Sequence, residues 1–218
     1  MIEQREPAGV AERRWVAATA ALGALALQLS LPAHLVLPPR WLLPATGLAL
    51  LVGVVIANPD RCDRRSMGLR RASIALVAVM SIANAASAAR LIDGLLSRME
   101  IADARFLLRV GATIWVINVV VFALWYWELD GGGPARRVHD YAVRIDLMFP
   151  QHGNAEFMPP GWRPQFVDYL YVSFTNAISL SPGETSPLAR WTKLTMMLQS
   201  AVSLGTLALV VARAVNVL

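Results

Sequence analysis

The sequence predicts an all-α, polytopic membrane protein with about five transmembrane helices and one re-entrant half-helix before the last helix. Three observations predict it. The chain of 218 residues is 56% hydrophobic and only 16% charged, with a mean hydropathy of +0.49, whereas a soluble domain carries about 25% charged residues. Its apolar residues fall into runs near the ~20 that a bilayer-crossing helix needs, separated by proline and charge. Its basic residues flank those runs, so the net charge of +5 reads as topology signalling. A lipid bilayer is therefore the expected partner, and nucleic acid is not.

The first span is expected over Trp15–Leu37, ended by Pro38-Pro39-Arg40. The second, Trp41–Ala57, is short and closes on Asn58-Pro59-Asp60. The third, Ala72–Leu96, has a second half rich in Ala and Ser. There Ser81, Asn84, Ala85, Ala88 and Ala89 form a face for close helix packing. The fourth, Phe106–Trp127, closes on an aromatic anchor of Trp125, Tyr126 and Trp127. The last runs from Trp191 to the end of the sequence. The first run lacks a small-residue cleavage site, so that helix is expected to stay in the membrane.

Between the fourth and last spans lies a long loop opening on "ELDGGGP", in which "YAVRIDLMF" can pack as a short interfacial element. Phe166–Ser179 follows, too short to span but suited to a half-helix, with Asp168 complementing its positive amino-terminal end. The turn "SLSPGETSP" then leads into the last helix.

Helix, long loop, half-helix, polar turn and helix is the layout of the pore module of tetrameric potassium channels. Laid without a gap over that family's filter, roughly T-T-V-G-Y-G-D-x-x-P, the segment Ile178–Pro187 puts Gly183 on the second filter glycine. Glu184 falls on the acidic residue and Pro187 on the proline that begins the inner helix. Ser181 and Pro182 replace the first glycine and the tyrosine, so no potassium-type ladder of carbonyls is expected. A longer likeness, over "NVVVFALWYWELDGGGP" and "WRPQFVDYLYVSFTNAISLSPGETSPLARWTKLTMMLQ", resembles a group of bacterial membrane proteins of unknown function. The resemblance implies a multi-pass protein of the bacterial inner membrane, divided into a three-helix region over 1–105 and a pore-like module over 106–218. It implies a homo-oligomer, tetrameric by analogy, that conducts or binds a monovalent cation without potassium-type selectivity. The alternative is a non-conducting scaffold or sensor that keeps the pore-module fold.

The candidate pore or ion-binding residues are Glu184, Ser181, Ser179, Leu180, Gly183, Thr175 and Asn176. By the channel analogy, Glu184 would ring the mouth with carboxylates. Read locally, Ser181-Pro182-Gly183-Glu184 has capping-box spacing, and Ser186-Pro187 reads as the cap and first position of the last helix. Thr175, Asn176 and Ser179 either satisfy carbonyls freed at the half-helix end or line water. Gln199 and Ser200 read as helix-to-helix hydrogen-bonding groups, and Gly205 as a hinge or a close-packing position. Arg109 and Arg213, near helix ends, can snorkel. The single Cys62 and the scattered His34, His139 and His152 lack ligand spacing, so no metal or cofactor is expected. No acid–base pair or nucleophile motif points to an enzyme.

The positive-inside rule places the amino terminus in the cytoplasm. With that orientation, twelve arginines (5, 13, 14, 61, 64, 65, 70, 71, 136, 137, 144 and 163) lie inside and five (40, 90, 98, 105 and 109) outside. Five helices then put the half-helix mouth on the cytoplasmic side, opposite to potassium channels, and the side it faces is left open.

Overall fold

The computed structural model describes residues 14–57, 66–97, 103–139, 144–153, 156, 162–179 and 184–217. Its helices are α1 (Trp15–Ser30), α2 (Leu42–Ala57), α3 (Met67–Leu96), α4 (Ala104–Leu129), α5 (Pro134–His139), α6 (Pro150–Gly153), α7 (Phe166–Ser179) and α8 (Arg190–Val217). Two short strands, β1 (Leu147–Met148) and β2 (Ser186–Pro187), pair antiparallel. The protein is all-α apart from this pairing. Among the described residues α3, α4 and α8 are long and apolar enough to cross a membrane. α1 and α2, of 16 residues each, are shorter apolar helices.

α1 stops at Ser30, short of the expected Leu37, because Pro32 holds Leu31 extended (φ −67°, ψ 146°). The chain then makes one 3-10 turn at Ala33–Leu35. Two arginines of the set counted as outside close this end: Arg40 Nη2 donates to the Leu29 carbonyl at 2.8 Å, and Arg90 Nη1 donates to that of Val36. α3 begins at Met67, before the expected Ala72, because Ser66 caps it and accepts from the Leu69 N–H. The expected small-residue face is partly displaced. Asn84 and Ala88 are buried, but Ala85 and Ala89 are exposed, and the packed stripe runs Met80, Ala83, Asn84, Ser87, Ala88 and Leu91. Within it Ser87 accepts from Gln28 Nε2 at 3.1 Å.

α4 is the centre of the bundle, packing against α1, α3, α7 and α8. Leu107, Ile114, Ile117, Val121, Ala123 and Tyr126 are almost wholly buried. Gly111 lets α8 come close, since a Cβ there would meet the Val210 methyls at 2.9 Å. α4 and α8 run antiparallel, Tyr126 bonding Gln199 while Asn118 bonds Ser203.

Arg14, Arg70 and Glu128 line one cavity, so the starts of α1 and α3 and the end of α4 share one end of the bundle. Ser186–Pro187 does not begin the last helix, as its cap-like spacing predicts. The pair forms β2, with Leu147 opposite Pro187 and Met148 opposite Ser186. The Leu188 and Ala189 N–H groups then donate to the Asp146 carbonyl at 2.9 and 3.3 Å, and α8 starts at Arg190. A partner strand some forty residues back outcompetes the local capping signal.

Candidate functional site

α7 matches the expected bounds, Phe166–Ser179. Its pattern is amphipathic: Val167, Tyr171, Phe174 and Ile178 are exposed, while Phe166, Tyr169, Val172, Ser173 and Asn176 are buried. Asp168 closes the first turn by accepting from the Gln165 N–H at 2.7 Å, the structural role expected of it. Burial pushes the Asp168 carboxyl above its ordinary range, and that hydrogen bond pulls the other way.

Ser173, Asn176 and Gln199 join α7 to α8. Gln199 is fully buried, and its Oε1 accepts from Tyr126 Oη at 2.7 Å and Asn176 Nδ2 at 2.9 Å. Its Nε2 donates to the Ser173 carbonyl at 2.8 Å and to Ser173 Oγ at 2.7 Å. Ser173 Oγ in turn donates to the Val119 carbonyl of α4, and Asn176 Nδ2 to that of Met196. Ser200 Oγ donates to the Asn176 carbonyl at 3.3 Å. Three helices thus meet on one glutamine, and Gln199 and Ser200 bond between helices as expected.

Of the other candidates, Thr175 is half-buried, and its hydroxyl donates to the carbonyls of Tyr171 and Val172. Glu184 is exposed in the turn before β2. Leu180, Ser181 and Gly183, and the Ser179 side chain, lie outside the described residues. A Cβ at Gly205 would meet nothing within 4 Å, so close packing does not require that glycine. Close helix packing falls instead on Gly111, against Val210, and on Gly47, where a Cβ would stand 2.8 Å from Leu25 Cδ2.

A second polar centre was not anticipated. Asp130 is fully buried at the end of α4. Its Oδ1 accepts from the N–H groups of Asp146 (2.8 Å) and Leu147 (3.1 Å), and its Oδ2 from Tyr169 Oη at 2.6 Å. Arg137 Nη1 donates to the carbonyls of Trp127 and Asp130, and its guanidinium stands 5.1 Å from the Tyr169 ring centroid. Asp130 therefore docks the loop and the start of α7 onto α4. Phe149 packs edge-on against the Tyr169 ring at 5.3 Å, and Phe149, His152 and Trp162 pack on one another with ring centroids 5.5–6.3 Å apart.

The glycines after Asp130 make this geometry possible. Gly131, Gly132 and Gly133 all have positive φ (57°, 81° and 101°), conformations that a Cβ opposes. At Gly132 a Cβ would also stand 2.8 Å from Arg136 Cδ, and at Gly133 3.0 Å from the Glu128 carbonyl. Gly133, with ψ 166°, occupies a region open almost solely to glycine. Gly133→Ala should destabilise by about 2–3 kcal/mol and Gly132→Ala by about 1–2 kcal/mol, since a flexible side chain yields and a backbone carbonyl does not. Thermal unfolding of the purified variants in detergent checks the order, and equal melting of both with wild type would refute it.

No family model, curated protein or solved structure matches the chain. Among the described residues no cluster of His, Cys, Asp or Glu is arranged to hold a metal ion.

Proposed function

We propose that the chain is a pore-like membrane protein that conducts or binds a monovalent cation as a homo-oligomer, with five crossings and α7 as a re-entrant half-helix. The observation that carries this reading is the path from Phe166 to Leu188. Tyr169 is tied to Asp130, Asp146 is tied to Asp130, and Leu188 is tied to Asp146. The segment therefore leaves and returns at the same end of the bundle, with α7 packed against both α4 and α8. Fourteen helical residues reach about 21 Å, less than the ~30 Å hydrocarbon core. The carboxyl end of α7 leads toward the exposed Glu184, and a ring of such carboxylates with negative helix ends favours cations.

Ion flux into proteoliposomes tests the reading. Wild type should pass a monovalent cation, and Glu184→Ala should lower that flux severalfold or change its selectivity. A second reading, a non-conducting scaffold or sensor, is favoured by the faces of α8. Its polar residues Thr192, Gln199, Ser203 and Thr206 are buried within the chain, while Leu194, Met197, Leu198, Leu204, Val211 and Val215 are exposed. Absence of flux from a folded oligomer across pH and voltage would select that reading.

A further inference from the structure

The end of the bundle where α1, α3 and α4 meet holds a cavity of about 460 Å³, within the range of roughly 300–1,000 Å³ typical of ligand pockets. Arg14, Arg70, Arg136, Ser66, Ser73 and Glu128 are in its wall. Among the described residues of the wall, three guanidinium groups accompany one carboxylate. Glu128 is 5% exposed and lies in the fields of Arg14, Arg137 and Arg70.

Arg14 carries the argument. It is 8% exposed, and among the described residues its Nε–H meets no hydrogen-bond acceptor. A buried charged donor without an acceptor is costly, and an acceptor placed in the cavity relieves that cost. Ser66 Oγ accepts from the Leu69 N–H, which leaves its own O–H free to donate. Arginine forks with hydroxyl donors are suited to phosphate oxygens.

Arg14 also borders a second cavity, of about 310 Å³, on the outer side of α1 and α2. Its wall is apolar, including Leu22, Leu48, Val52 and Ile56, all exposed, with Trp15 beside Arg14 at its mouth. A charged pocket continued by an open apolar groove matches an amphiphile with an anionic head and acyl tail. Basic pockets between membrane helices hold acidic headgroups in this way, and a tryptophan at the junction suits the membrane interface. We infer that this end of the bundle is a binding site for an anionic phospholipid, its phosphate held by Arg14, Arg70 and Arg136 and an acyl chain lying between α1 and α2. The inference stands apart from the pore reading.

The test uses the full chain and two variants of equal charge. Arg70 and Arg136 are exposed, so Arg70→Gln/Arg136→Gln spares the core; Arg71 and Arg190, exposed but outside the cavity, provide the control Arg71→Gln/Arg190→Gln. Retention of phosphatidylglycerol against phosphatidylcholine is read by native mass spectrometry in detergent, with glycerol 3-phosphate as a soluble competitor. Wild type and control should retain phosphatidylglycerol selectively. The cavity variant should retain it roughly tenfold less or worse, at about 1 kcal/mol per basic residue. Equal retention by all three proteins, or equal loss in the control, would overturn the site. Glycerol 3-phosphate binding as tightly as the lipid would overturn the acyl-chain half and assign the cavity to a soluble phosphate ester.

Discussion

Replacing Asp130 with alanine should lower the stability of the folded protein by about 3–5 kcal/mol and release the loop from the end of α4. The carboxylate accepts from the Asp146 and Leu147 N–H groups and from Tyr169 Oη, and it is fully buried. Stranding buried donors costs about 1–3 kcal/mol each, less whatever is regained when the loop swings out to water. Asp130→Asn keeps the shape and the Oδ1 acceptor but turns an amide toward the Tyr169 hydroxyl, so its cost should be smaller, about 1–2 kcal/mol. Hydrogen exchange at the Asp146, Leu147 and Leu188 amides reads the undocking directly, beside the melting temperature. A double-mutant cycle with Tyr169→Phe should show coupling, because the two side chains share a bond of 2.6 Å. Unchanged protection at those amides in Asp130→Ala would remove Asp130 as the organising residue.

Gln199→Leu should cost about 2–3 kcal/mol while preserving the volume of the core. The glutamine holds Tyr126, Asn176 and Ser173 at once. Asn176 keeps the Met196 carbonyl and Ser173 keeps the Val119 carbonyl, but the Tyr126 hydroxyl loses its acceptor. Interhelical hydrogen bonds within membranes average about 0.6 kcal/mol and reach about 1.7, so the sum here exceeds any single bond. Ser203→Ala, which removes only the partner of Asn118, should fall within that single-bond range. Unfolding in mixed micelles ranks the two, and a Gln199→Leu protein as stable as wild type would refute the network's role.

These two residues differ in how plainly the sequence announces them. Gln199 is a polar residue inside an apolar helix, which calls for a helix-to-helix bond whatever the partner. α7 was legible to the residue because exposed and buried positions alternate with helical period along a segment of 14. Asp130 was not, since its partners lie 16, 17 and 39 residues away and nothing local marks them. The signal that could have found it is the run of three glycines directly after an aspartate, a demand for unusual backbone rather than a phosphate loop. Pro32 was hidden by the apolar run around it, and Ser186-Pro187 was misread because a cap signal is local and a strand partner is not. Ala85 and Ala89 show a related limit, since a composition rich in small residues leaves the rotation of a helix undetermined. The arginines at the amino-terminal end read from sequence as topology signals, and their convergence on one cavity needs the packing of α1, α3 and α4.

The antiparallel pairing of α4 with α8 also sets an order of assembly. Tyr126 and Asn118 leave the ribosome 73 and 85 residues before Gln199 and Ser203. At about 5–20 residues per second, these groups wait roughly 4–17 s for their final acceptors and donors. During that interval α4 cannot lie bare in lipid without penalty, so water at the insertion site or the polar groups already present on α3 must host it. The helix at the centre of the finished bundle is therefore satisfied last, when the final segment is threaded into place.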